Sequence, residues 1–222
     1  MKKQNLALFD LDNTLLAGDS DYSWSLFLIN EGLLDAKTHH ERNEQFYLDY
    51  KNGNLDIVQF LEFQLRPLSQ HPKEFLDQLH VKFMQQVIRP MMMQKAQDLV
   101  DQHKAQGDLC LVITATNSFV TKPIAEAYGI EHLIGTEPEM VNGEYTGGVT
   151  GVPSFQQGKV TRINEWLEAH GQQLSDFEVS YFSDSHNDLP LMKLVTHPVA
   201  VDPDPTLAAY ATQQAWPQIS LR

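Results

Sequence analysis

The chain has 222 residues, 42% of them hydrophobic and 20% charged, the make-up of a soluble globular domain, alone or with a smaller insertion. Its 16 Lys and Arg face 29 Asp and Glu, and the resulting charge of −13 argues against a nucleic-acid backbone as partner. A single cysteine, Cys110, rules out an internal disulfide, and no apolar run has the length of a membrane span or signal peptide, so the expected compartment is the cytoplasm.

The first apolar run, "LALF" at 6–9, has the look of a buried strand and ends on two acids, Asp10 and Asp12. Residues 17–88 that follow are helix-rich and strand-free, too long for a loop. They are read as a small helical domain inserted into a core made of 1–16 and 89–222. A helix after Pro90 closes on Gly107, and "LCLVI" at 109–113 is the second strand, running into Thr114, Ala115, Thr116 and Asn117. Another helix, "SFVTKPIAEAYG", and a weaker strand, "HLIGT" at 132–136, come next. Asn142-Gly143, between two alternating runs, predicts a hairpin. Lys159 lies near the start of the following helix; "VSYF" at 179–182 then leads into "SDSHND", with Asp184, Asn187 and Asp188. "PVAV" at 198–201 is the last strand. Strands alternating with helices predict an α/β fold with a doubly wound parallel sheet, whose ligands sit at the carboxyl ends of the strands.

Those ends gather four carboxylates, a threonine hydroxyl and one lysine. One ammonium cannot neutralise four carboxylates, so a divalent cation is implied, and an all-oxygen donor set suits Mg²⁺. His186, in the same loop, is read as solvent-facing. An aspartate is ionised at neutral pH and can attack phosphorus without a general base. Asp12 is placed to protonate the leaving alcohol, given a pKa raised by its charged neighbour, and then to deprotonate water. Thr114 and backbone N–H groups from Ala115 onward would hold phosphate oxygens. Each piece has a plain structural alternative: Asp-x-Asp recurs by chance, and Thr114 could simply cap a helix. The order of the pieces after successive strands favours a phosphoryl-transfer site over a non-catalytic phosphate-ester binding module.

The ordered set resembles the haloacid-dehalogenase-like superfamily of phosphohydrolases. "FDLDNTLL" is similar to its first motif, the Thr114 strand end to its second, Lys159 to its third and "SDSHNDLPLM" to its fourth. The resemblance implies Asp10 as nucleophile and Asp12 as acid/base. It implies Mg²⁺ held by Asp10, Asp184 and the Asp12 carbonyl, with Asp188 and Asn187 supporting, and phosphate held by Thr114 and Lys159. The second motif departs from the family, reading "TATN" in place of Ser-Gly-Gly.

The helical insertion and the hairpin resemble the phosphoserine phosphatase branch, in which the insertion is a cap that selects a small phosphorylated metabolite. Asp19 matches, by position, the acid that reads the substrate amine there. The arginine that reads the substrate carboxylate has no counterpart in register: Gln64 occupies its place and Arg66 is two residues on. Asp19, Asp21 and Glu62, with Tyr22, Trp24 and Phe27 nearby, favour a cationic substrate without a carboxylate. The same residues also fit a packed cap core with a solvated acidic face. Histidinol phosphate, on which some enzymes of this branch act, is the expected substrate; phosphoserine is the alternative.

Overall fold

The computed structural model describes residues 3–222. Its frame is a seven-stranded sheet: β1 (Gln4–Phe9), β2 (Leu109–Asn117), β3 (His132–Val141), β4 (Glu144–Thr150), β5 (Phe177–Ser183), β6 (His197–Val201) and β7 (Gln218–Ile219). The spatial order is β4-β3-β2-β1-β5-β6-β7, and only the β3–β4 pair is antiparallel. The chain winds outward on both sides of β1, which makes the carboxyl end of β1 the natural crevice.

Between β1 and β2 run α1 (Ser20–Asn30), α2 (Ala36–Lys51), α3 (Ile57–Leu65), α4 (Lys73–Phe83), the single turn α5 (Arg89–Met91) and α6 (Gln94–Ala105). Later come α7 (Ser118–Ala127), α8 (Gln157–Ala169), the short α9 (Leu189–Met192) and α10 (Pro205–Gln213). Among the described residues, no helix is long and apolar enough to cross a membrane.

Strand β1 explains the layering. Successive side chains of a strand point to opposite faces. Ala7 and Phe9 join one apolar cluster, with Ala96 and Val100 of α6 and Val120 and Ile124 of α7. Leu6 and Leu8 join a second, with Val160 and Ile163 of α8 and Leu207 of α10. Each fully buried Phe, Leu, Ile or Val side chain among them stabilises the fold by about 1.5–3 kcal/mol. The doubly wound α/β architecture expected from the sequence is the one observed.

Two details differ from the sequence reading. "HLIGT" and the first arm of the hairpin form one continuous strand, β3, which pairs with β2 and then bends out past irregularities near Asn117 and Pro138. Its turn is as expected: Asn142 and Gly143 both have positive φ, 54° and 86°, which matches the twist of a two-residue hairpin. The edge strand β7 has only two residues, too short to leave a periodic signal.

The segment carrying α1–α5 leaves and returns at one point. Leu16 bridges Met92 in antiparallel fashion, and the Ala17 N–H donates to the Met91 carbonyl at 2.9 Å. The base of the segment shares the sheet's core, since Trp24 and Phe27 of α1 and Phe83 of α4 belong to the same cluster as Phe9. Trp24 meets Phe83 edge-on at 5.0 Å and Phe119 of α7 at 5.5 Å. Asp19, Asp35 and Asp56 start α1, α2 and α3 by accepting backbone N–H bonds.

Candidate active site

The β1 strand ends by donating the Asp10 N–H to the Phe182 carbonyl at 2.9 Å, after which the chain folds into a tight turn. The Leu11 carbonyl accepts from the N–H groups of Thr14, Leu15 and Leu16, and Asn13 takes a left-handed φ of 58° that asparagine tolerates. The turn swings Thr14 back against the acids. Its hydroxyl oxygen lies 3.1 Å from Asp10 Oδ2 and 3.2 Å from Asp184 Oδ1, and it accepts from the Asp184 N–H at 3.0 Å. Thr14 thus ties the ends of β1 and β5 together.

Lys159, at the start of α8 and only 2% exposed, reaches the other side of Asp10. Its Nζ donates to Asp10 Oδ1 at 2.8 Å, Asp188 Oδ2 at 2.7 Å and the Tyr181 hydroxyl at 3.1 Å. Asp188 Oδ2 also accepts from Tyr181 at 2.6 Å and Ser183 at 2.7 Å. Asp12 faces the other way, accepting from the Ser20 N–H at 2.6 Å and the Thr116 hydroxyl at 2.8 Å.

Asp10, Asp12, Thr114, Ala115, Lys159 and Asp188 line one cavity under α2 and α3. Asp19, Asp21 and Tyr22 line it as well. Asp184 reaches Asp10 through Thr14. Trp24 and Phe27 pack into the core instead, and Asn187, Glu62 and Arg66 are not brought there either. Asn187 turns to the insertion, donating to the Tyr50 carbonyl at 3.1 Å and accepting from Gln156 at 2.9 Å. Glu62 and Arg66 are exposed, and Arg66 lines a separate groove with His39 and Arg42 on the outer side of the helices. Gln64, between them, is buried and lines the cavity.

The electrostatics carry an imbalance. Burial, helped by Asp188 and Asp12 and opposed by Lys159, pushes Asp10 up to about 7. Burial, with Asp19 adding, pushes Asp12 up to about 7. Burial, then repulsion from Asp10 and Asp188, drives Asp184 well above the carboxylate range. Burial disfavours the Lys159 ammonium, but attraction to Asp10 and Asp188 outweighs it and holds the group above the ordinary lysine range. The carboxylates therefore exceed what one ammonium offsets. Among the described residues no three His, Cys, Asp or Glu side chains form a ready metal cage. A hard cation here would use carboxylate oxygens of Asp10 and Asp184 and complete its shell with backbone, water or phosphate oxygens. That donor set fits Mg²⁺, which binds through one or two carboxylates plus substrate phosphate.

The family model described as haloacid dehalogenase-like hydrolase matches residues 7–193. The chain belongs to this family. It is 46% identical over 221 residues to a histidinol-phosphatase of Neisseria meningitidis serogroup C (strain 8013), covering 99% of this chain and 100% of that protein. A crystal structure of a protein of unknown function from Bordetella pertussis Tohama I superposes with a TM-score of 0.94 at 46% identity, covering all of both chains. A substrate-bound phosphoserine phosphatase has a TM-score of 0.70 at 18% identity, over 100% of this chain and 95% of that one, a likeness of fold. Family membership, with a full-length phosphatase relative, makes the chain an enzyme, a phosphoric monoester hydrolase.

Several residues of this haloacid dehalogenase-like site escape sequence reasoning. Tyr181 reads as one apolar position in "VSYF", yet its hydroxyl serves Lys159 and Asp188. Thr116 differs from Thr114 by two positions on β2 and bonds Asp12. Asn43 and Tyr50 lie on the polar helix α2, where nothing in the spacing marks them as lining the cavity.

Proposed function

We propose that this enzyme hydrolyses a small amino-alcohol phosphate without a carboxylate, histidinol phosphate foremost, with Mg²⁺ and through an aspartyl-phosphate on Asp10. One observation carries the substrate: among the described residues, the only lysine or arginine lining the cavity is Lys159, already held by Asp10 and Asp188. The wall offers Asp19, Asp21 and the rings of Tyr22, Phe46, Tyr47 and Phe60, a lining that favours a cation and repels a second anion. The 46% relative in Neisseria, a histidinol-phosphatase, supports the same reading.

Mg²⁺, held by Asp10 and Asp184, would supply positive charge to offset repulsion between carboxylate and phosphate. The Asp10 carboxylate attacks phosphorus as the ester oxygen leaves, forming the acyl phosphate. Lys159, fixed by Asp188 and Tyr181, keeps the Asp10 carboxylate oriented and pairs with phosphate charge. Asp12, with its raised pKa, carries the proton that the departing alkoxide takes. The same carboxylate then accepts a proton from water as that water attacks phosphorus, which releases phosphate and restores both acids. Thr114 and the backbone around Ala115 bind phosphate oxygens. The segment α2–α3 roofs the cavity as a cap and keeps bulk water out.

Phosphate release from histidinol phosphate, phosphoserine and an aryl phosphate, with Mg²⁺ and with chelator, tests this. Metal-dependent turnover with a higher kcat/KM for histidinol phosphate than for phosphoserine is expected. A preference for phosphoserine, or turnover retained in Asp10→Asn, would overturn it.

A further inference from the structure

Two buried polar side chains of the cavity take no part in the hydrolysis. Asp21, in the first turn of α1, is 5% exposed, and Asn43, on α2, is 3% exposed. Both line the cavity. The Asp21 carboxylate accepts from Asn117 Nδ2 at 3.2 Å, and Gln64, whose amide oxygen is held by Ser25 at 2.8 Å, acts on it as well. Both neighbours are neutral. The charged groups acting on Asp21 are Asp19 and Asp12, both anions. A buried carboxylate is ordinarily paired with a cation, and among the described residues none is supplied here. Among the described residues the buried Asn43 amide nitrogen has no hydrogen-bond partner, which native proteins rarely leave so.

Asp19 is different. Its carboxylate caps α1, accepting from the Tyr22 N–H at 2.8 Å. Its charge already faces a helix N-terminus.

We propose that Asp21 and Asn43 form a two-point reader for the part of the substrate beyond the phosphate. Asp21 accepts from a protonated nitrogen, and Asn43 donates to an uncharged acceptor atom of the same molecule. The inference rests on the phosphatase reading above and moves recognition of the cation from Asp19, the acid matched by position, to Asp21. The ligand class it selects is a phosphate ester bearing both an ammonium and a ring nitrogen with a free lone pair. A carboxylate at either point meets Asp21's charge with no cation to offset it.

Three substrates separate the two points: histidinol phosphate has cation and acceptor, phosphoethanolamine has the cation alone, and an aryl phosphate has neither. Asp21→Asn is expected to lower kcat/KM for the first two by about tenfold or more relative to the aryl phosphate, the loss of a charged hydrogen bond. Asn43→Leu is expected to lower the ratio of histidinol phosphate to phosphoethanolamine by about fivefold or more, the loss of a neutral one. Asp21→Ser, smaller and likewise uncharged, replaces Asp21→Asn if the amide variant does not fold. An unaltered enzyme that hydrolyses histidinol phosphate no better than the aryl phosphate overturns the substrate reading and this proposal with it. A clear preference in the unaltered enzyme that both Asp21 variants keep, while Asp19→Asn loses it, overturns this proposal alone.

Discussion

Lys159→Met removes the site's ammonium while keeping a side chain of similar length. Nζ of Lys159 lies 2.8 Å from Asp10 and 2.7 Å from Asp188, and all three side chains are less than a tenth exposed. Deleting one partner of a buried pair leaves an uncompensated charge and costs about 3–5 kcal/mol. The unfolded chain, with all three groups in water, feels little of this. For a chain of this length each kcal/mol lowers Tm by roughly 2–4 °C, so the expected fall is about 6–20 °C. The assay is thermal unfolding at pH 7 in chelator and again in millimolar Mg²⁺. The fall is expected to shrink in Mg²⁺, because a divalent ion on Asp10 and Asp184 offsets part of the same charge. Adding Asp188→Asn to the variant relieves one of the two stranded carboxylates and is expected to recover part of the loss, a coupling that distant sites do not show. A variant whose Tm in chelator stays within about 2 °C of the parent would refute the charge accounting. So would a double variant whose losses simply add.

Other sites give independent checks. In Gly158→Ala the new Cβ would sit 2.0 Å from the Pro153 carbonyl oxygen, so the turn before α8 must open and carry Lys159 with it; both Tm and turnover are expected to drop, as thermal melts and phosphate release will report. Phe83→Ala empties a fully buried position among Trp24, Phe27 and His80 and is expected to cost about 3–5 kcal/mol in urea unfolding. Burial pushes His80 below its ordinary 6.5, against the pull of the Val120 carbonyl 2.9 Å away. The folded state then binds fewer protons than the unfolded one, so this stability is present above 6.5 and is lost as pH falls. His80→Gln is expected to flatten the decline of urea-unfolding free energy on acidification.

The sheet and its acids were legible because their signals are local. An apolar run that stops at an acid announces a buried strand with a functional end, and Asp10, Asp184 and Lys159 follow such runs or helix starts in the order a parallel sheet requires. What lay in the helices was harder. Residues two apart on a helix point about 200° away from each other, so with Gln64 turned inward, Glu62 and Arg66 are both turned out. Sequence offset alone had left Arg66 as a candidate for the substrate, and geometry removes it from the cavity. Tyr181 and Thr116 were illegible for another reason. Alternation says which face of a strand a residue occupies, but not that a hydroxyl on that face will meet Asp188 or Asp12 from a different loop. Asn43 belongs to a helix so polar that one more polar residue carries no signal, and only its burial marks it.

The neck at Leu16–Ala17 and Met91–Met92 has a consequence for how such enzymes diversify. Because the two crossing segments are joined by a backbone hydrogen bond, the ends of everything between them are already in contact. A replacement segment needs only to bring its own ends equally close, and closing a longer or shorter loop changes the entropy cost by just ~0.6 kcal/mol per doubling of length. What resists exchange is the aromatic contact of Trp24 and His80 with Phe119, which anchors the segment to the sheet's own helix. Selection for a new substrate can therefore rewrite α2 and α3, the span that carries Asn43 and Gln64, while α1 and α4 stay fixed as a plug and the strand ends keep their chemistry.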